Sequence, residues 1–226
     1  ADRFGVRVAS LVTICRARTV LESYHSRRSG RSLLAVGRRG TLERVSEAVV
    51  VVPYDEEWPS LFRDVGSQLR HELRDVALRI DHVGSTSVPG LDSKPIIDIQ
   101  VSVASFLPLD AFRLPLERAG LVHRPGAELT KRDLRERSGD RRTHIHVRRA
   151  GSFNEQFALL FRDFLRSHPG SAAAYATLKY DLAAEFSAPE QRHEYVMAKV
   201  PFVWETMRAA DEWAGEVGWE PGPSDA

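Results

Sequence analysis

From Ser46 onward the chain alternates between apolar runs of two periods. Val49 to Val52 is a β-branched run closed by Pro53 and reads as a strand. Asp55, Glu56 and Glu57 then place negative charge where it favours a helix N-terminus. Trp58, Leu61, Phe62, Val65, Leu69, Leu73 and Val76 recur at helical spacing, which predicts an amphipathic helix over 56–77. Ile80 to Val83 predicts a short strand that runs into the turn-rich Gly84-Ser85-Thr86-Ser87-Val88-Pro89-Gly90. Ile96 to Val103 predicts a second strand, with Ile97, Ile99 and Val101 on one face and Asp98, Gln100 and Ser102 on the other. A short helix is expected over 109–119, residues 121–136 carry little pattern, and the charge-dense span 130–142 reads as a solvated hairpin or mobile loop. Thr143 to Arg148 alternates again, with Ile145 and Val147 opposite His144, His146 and Arg148.

The remainder has helical periodicity. Ser152 and Glu155 form a capping box opening a helix to about Ser167, which Pro169-Gly170 breaks. A second helix is expected over 171–186. Ser187 and Glu190 form another capping box, opening a third helix to about Ala214. The Pro221-Gly222-Pro223 end is expected to fray. This order of elements is that of an α+β fold, a small sheet followed by helices.

Composition changes this picture in one place. The 226 residues suffice for a core without disulfide staples. The single cysteine, Cys15, excludes a disulfide framework and a Cys-based zinc finger and fits a reducing cytoplasm. No apolar run approaches the roughly 18 residues of a membrane span. The net charge of +1 conceals a split. Residues 1–44 hold ten Arg, no Lys and three acids (Asp2, Glu22, Glu43), giving +7, whereas residues 45–226 hold 22 basic and 28 acidic residues, giving −6. The expected division is a basic, disordered extension at 1–46, a folded domain at 47–214 and a flexible tail at 215–226. For the extension, a plain disordered segment, a targeting peptide and a nucleic-acid-binding arm all remain open. Nucleic acid is expected as a partner only through it.

The candidate chemistry starts at the loop 84–90. Glycine lets backbone approach a ligand, and Ser85, Thr86 and Ser87 add hydroxyls suited to phosphate, although most such loops are plain turns. Asp98 then appears on the polar face of the next strand. This arrangement resembles the nucleotidyltransferase superfamily, in which a Gly-Ser loop holds a triphosphate and two carboxylates at i and i+2 hold magnesium. The second position here is Gln100, a neutral amide that cannot supply the missing charge. More closely, HVGSTSVPGLDSKPIIDI at 82–99 resembles the signature of the GrpB family. The resemblance continues in VVVPYDEEW at 50–58, THIHV at 143–147, FRDFLRSHP at 161–169, Y-x-x-L-K at 175–179 and Y-x-x-x-K at 195–199. It implies a nucleotidyltransferase-like mixed sheet flanked by helices, with a C-terminal three-helix segment. It also implies a nucleotide or phosphorylated small molecule as ligand, held with a divalent metal. A similar domain is fused behind dephospho-CoA kinase in some bacteria. The alternative implied is therefore a non-catalytic module with a regulatory or chaperone-like role toward that kinase.

The residues expected to carry this chemistry fall in two groups. Asp98 is the catalytic candidate and, with Gln100, His144 and His146, a metal ligand. Magnesium or manganese is the expected ion, and the histidines raise the alternative of a metal that favours imidazole. The same histidines would equally serve as ordinary hydrogen-bonding residues on a half-exposed sheet. Gly84, Ser85, Thr86, Ser87, Lys94, Tyr175, Lys179 and Lys199 form the phosphate-binding group. The chain has 28 Arg and only four Lys, and Lys is the compact point charge of the two. Lys179 and Lys199 each follow a tyrosine by four residues, so each pair shares a helix face. Surface lysine beside core tyrosine is the alternative. No P-loop, G-x-S-x-G, H-E-x-x-H or G-x-G-x-x-G occurs, so kinase, hydrolase, zincin and Rossmann readings lack support.

Overall fold

The computed structural model describes residues 48–124, 132–136 and 143–226, and the expectations for the basic extension lie outside them. Helix α1 (Trp58–Leu73) buries Trp58, Phe62, Leu69 and Leu73 along one stripe. Pro59 sits in its first turn, where a missing N–H costs nothing. Five strands follow: β1 (Arg79–Val83), β2 (Ile97–Val103), β3 (Leu121–Arg124), β4 (Arg132–Glu136) and β5 (Thr143–Arg149). They form one mixed sheet in the order β1-β2-β5-β4-β3. β2 lies antiparallel to β1 and parallel to β5, and β4 is antiparallel to both β5 and β3. Helix α2 (Asp110–Arg118) bridges β2 to β3.

The period-2 alternation of β2 and β5 decides the layering. Ile97, Ile99, Val101, Val103, Ile145 and Val147 point to one face and pack with α1 and with Phe112 and Leu116 of α2. The opposite face carries the polar residues. It is covered by α3 (Phe153–Ser167), whose Glu155 carbonyl accepts from Gln100 Nε2 and whose Arg162 donates to the His82 carbonyl. α3, α4 (Pro169–Glu185) and α6 (Val200–Val217) share a second core with Val88 and Leu91 of the loop after β1. α5 (Arg192–Ala198) completes the helical segment.

The expected α+β architecture is the observed one, with local corrections. Val49–Val52 forms no strand; Val52 makes an isolated bridge to Ser93. The unpatterned span 121–136 holds β3 and β4, paired antiparallel; β4 falls within the span 130–142 expected as a solvated hairpin or mobile loop, the rest of which lies outside the described residues. Pro169 opens α4 as well as ending α3. The expected third helix is two, because Pro201 cannot donate an interior helical hydrogen bond and stands instead in the first turn of α6. Ser152 caps α3 as expected, but Glu155 reaches back to the Gly151 N–H. The second capping interaction lies one residue later than expected, with Gln191 Oε1 accepting from Ala188 N.

The chain end was expected to fray from 215. α6 instead runs to Val217, and the segment after it lies along β1, an edge strand whose outward groups need partners. Ile80 N donates to Ser224 Oγ (2.9 Å), His82 N donates to Asp225 Oδ2 (2.9 Å), and Ala226 N donates to the Ile80 carbonyl.

Candidate functional site

Along β2 every residue is buried except Asp98. Its carboxylate is 29% exposed; in register beside it on β5 stands His144 (21%) and, two pairs further on the same face, His146 (26%). The polar face of the sheet therefore opens to solvent at these three side chains. His146 Nε2 lies 3.0 Å from Asp98 Oδ1, and His144 Nδ1 lies 3.4 Å from the same oxygen. Burial would raise the Asp98 carboxyl, but the hydrogen bonds and charge of His144 and His146 outweigh it and hold the group well below the usual carboxylate range. Arg148 Nη2 approaches His146 Nδ1 at 3.3 Å from the far side of the ring.

The loop meets this carboxylate directly. Gly84 has φ 72° and ψ −174°, and a Cβ placed there would stand 2.7 Å from Asp98 Oδ2. Only glycine brings the loop this close. The three hydroxyls that follow divide. Thr86 is buried, donates to the Ile96 carbonyl and contacts His82 Nε2, so it is spent inside the fold. Ser87 closes the turn by donating to the Gly84 carbonyl (2.6 Å). Both depart from the expectation of free phosphate-binding hydroxyls. Ser85 remains half-buried and interacts with the Tyr175 side chain. Gln100, expected as a metal ligand, is buried and commits its amide N–H to Glu155.

The helical side supplies positive charge. α4 turns Ala172, Tyr175, Lys179 and Leu182 inward on one face. Lys179 is 2% exposed, its Nζ donates to the Asp92 carbonyl, and it stands 4.7 Å from the Tyr175 ring. Lys94 and Lys199 both lie over the Tyr195 ring, at 5.5 and 4.6 Å. Burial, then the charges of Lys199 and Lys94, push Lys179 down to about 7, against the pull of Asp92. Burial, then Lys94, push Lys199 down to about 8, against the pull of Asp98. Lys94 and Lys199 thus meet at the Tyr195 ring, and Lys179 lies against Tyr175, whose side chain interacts with Ser85 of the loop.

Sequence reasoning marked Tyr195, through its pairing with Lys199, but passed over Asp81, His82 and Asp225. Tyr195 is fully buried, and its hydroxyl has no hydrogen-bond partner among the described residues. Its Y-x-x-x-K spacing was the available signal. Asp81 is fully buried and accepts from Arg79 at 2.7 Å, and Arg162 pairs with Asp163 (2.7 Å) and Asp225 (2.9 Å). His82 stacks on Phe62 (4.8 Å), and burial pushes it down to about 4, so it is neutral. These groups knit β1, α3 and the chain end together. Nothing in the local sequence marks them, because Asp225 meets residues that lie 63 and 143 positions away.

The family model described as GrpB protein matches residues 48–209. A dephospho-CoA kinase of Mycobacterium tuberculosis is 34% identical over 197 residues, covering 76% of this chain and 48% of that protein. The chain thus spans about half the length of the first curated relatives it matches. The UPF0157 protein BH1888 of Halalkalibacterium halodurans is 33% identical over 176 residues, covering 76% of this chain and 87% of that protein. Among solved structures, the conserved protein GrpB from Enterococcus faecalis matches with a TM-score of 0.65 at 31% identity, covering 72% of this chain and 98% of that one. Among the described residues no helix is long and apolar enough to cross a membrane.

Proposed function

We propose that this chain, which belongs to the GrpB family, is a nucleotidyltransferase-like protein that binds a nucleotide or other phosphorylated small molecule beside a divalent cation. The observation that carries the reading is a glycine held against Asp98 in a loop whose Ser85 interacts with Tyr175, together with Lys179 at the Tyr175 ring and Lys94 and Lys199 at the Tyr195 ring. Crowded ammonium groups whose charged forms are disfavoured gain most from an anionic ligand. Asp98, His144 and His146 would hold the cation, and a cation there would neutralise phosphate oxygens and fix their geometry. Ser85 and the Gly84 backbone would contact the phosphate from the loop side, and Lys94, Lys179 and Lys199 from the helical side.

Binding is favoured over nucleotidyl transfer by the committed amide of Gln100, which stands where a second carboxylate would be needed to share a magnesium pair. The same observation favours a second reading, a non-catalytic module acting on dephospho-CoA kinase. The relatives named for that kinase support the association.

Titration calorimetry of ATP with Mn²⁺ or Mg²⁺ tests the first reading. Binding is expected, weakened roughly tenfold to a hundredfold in Lys179→Met, as the loss of one charged hydrogen bond requires. Absence of binding by ATP, ADP, AMP and pyrophosphate would refute it. Stable co-purification with dephospho-CoA kinase, without any nucleotide effect on melting temperature, would establish the second.

A further inference from the structure

We propose that His144, His146 and Asp98 form a two-histidine, one-carboxylate site selective for a first-row transition cation such as Mn²⁺, Co²⁺ or Zn²⁺ over Mg²⁺. The inference deepens the reading above and rests on it only for the cation's place beside a phosphorylated ligand.

Three features carry it. The candidate ligand atoms of the three residues all lie within 4.8 Å of one another, two of the separations being 3.0 and 3.4 Å. Ligand atoms about 2.0–2.2 Å from one metal stand roughly 2.9–3.5 Å apart, so an ion enters with small side-chain shifts. The residues sit on adjacent parallel strands inside the sheet, with His144 paired to Asp98 and His146 to Gln100, so the backbone fixes their spacing. Each is about a quarter exposed, and Asp98 is the one residue of β2 that is not buried, which leaves an entry path and room for a phosphate oxygen or water as further ligands. Two imidazoles and one carboxylate suit manganese, iron, cobalt or zinc, whereas magnesium prefers an all-oxygen shell.

Arg148 is the restraint on this site. When the ring is neutral, its guanidinium donates to His146 Nδ1 and the ring hydrogen sits on Nε2, which faces Asp98. Coordination at Nε2 moves that hydrogen to Nδ1, where it would meet Arg148 as donor against donor. Arg148 must therefore turn away for the metal to bind, and its positive charge also opposes the ion.

The test is titration of the metal-free full chain with Co²⁺, without nucleotide, read by visible absorption and calorimetry. One Co²⁺ per chain is expected, undisturbed by excess Mg²⁺. His144→Gln and His146→Gln should each weaken it by about 100-fold, and Arg148→Met should tighten it by about tenfold. Near-UV circular dichroism of the metal-free variants identifies any that misfold. An independent readout needs no variant: Co²⁺ should broaden or shift the imidazole NMR signals of His144 and His146 ahead of those of the other histidines. Unchanged affinity in both folded variants, displacement by equimolar Mg²⁺, or perturbation centred on other histidines would overturn the proposal. Co²⁺ binding without nucleotide affinity would sink the phosphate reading alone. Nucleotide binding without Co²⁺ uptake would sink this inference alone.

Discussion

Replacing Gly84 by alanine perturbs the junction between the loop and the carboxylate. At φ 72° and ψ −174° the backbone lies in a region open essentially to glycine, and holding another residue there costs about 1–3 kcal/mol. The new Cβ would also stand 2.7 Å from Asp98 Oδ2 and 3.0 Å from Asp98 Cβ. The second contact is to the root of the side chain, so rotating the carboxylate does not relieve it, and overpacking of this kind costs a further ~1–3 kcal/mol. The sum, roughly 2–6 kcal/mol, is a large share of the ~5–15 kcal/mol that holds a domain folded. Gly90→Ala is the matched control. Its φ is 75°, but a Cβ there meets nothing within 4 Å, so only the backbone cost of about 1–2 kcal/mol applies. Urea unfolding of both variants, compared at equal m-value, should show Gly84→Ala losing at least about 1 kcal/mol more. Equal losses would refute the packing of Asp98 against Gly84, and with it the argument that glycine is required for the site.

Other expectations follow from the buried charges. The folded value of Lys179, about 7, lies below its ordinary 10.5, so between these limits the folded state binds fewer protons than the unfolded state. Stability should therefore rise as pH rises from about 7 to 10.5, and Lys179→Met should flatten that slope in melting curves. Phosphate affinity should run the other way, weakening as pH climbs through 7 to 8 and Lys179 and Lys199 lose their charge. Asp225→Asn removes a charged partner from Arg162, which keeps Asp163, so a loss of about 1–3 kcal/mol in urea unfolding is expected.

How much of this was legible from residues alone depends on the range of the interaction involved. The stripe of α1 and the alternation of β2 and β5 are local periodicities, and each reads directly as an element with a defined buried face. β3 and β4 were missed because β3 is only four residues long and the charge density of β4 hides any alternation. The split at Pro201 was missed because helical periodicity runs through it unbroken. At the site, the loop, Asp98, the histidine pair and the Tyr–Lys pairs were all visible as motifs. The division of labour among Ser85, Thr86 and Ser87 was not, since the partners of Ser85 and Thr86, Tyr175 and the Ile96 carbonyl, lie outside the loop.

Sequence by itself determined the α+β class, the family and the facing of Asp98, His144 and His146, because strand period and motif spacing are properties of neighbouring residues. Only the tertiary structure decided that β2 and β5 pair in parallel and bring both imidazoles onto one oxygen of Asp98. It also decided that Lys94 and Lys199 meet over the Tyr195 ring and that the chain end closes the β1 edge through Ser224 and Asp225. Those contacts join segments tens of residues apart, and burial, which fixes their charges and their partners, exists only once the chain has closed on itself.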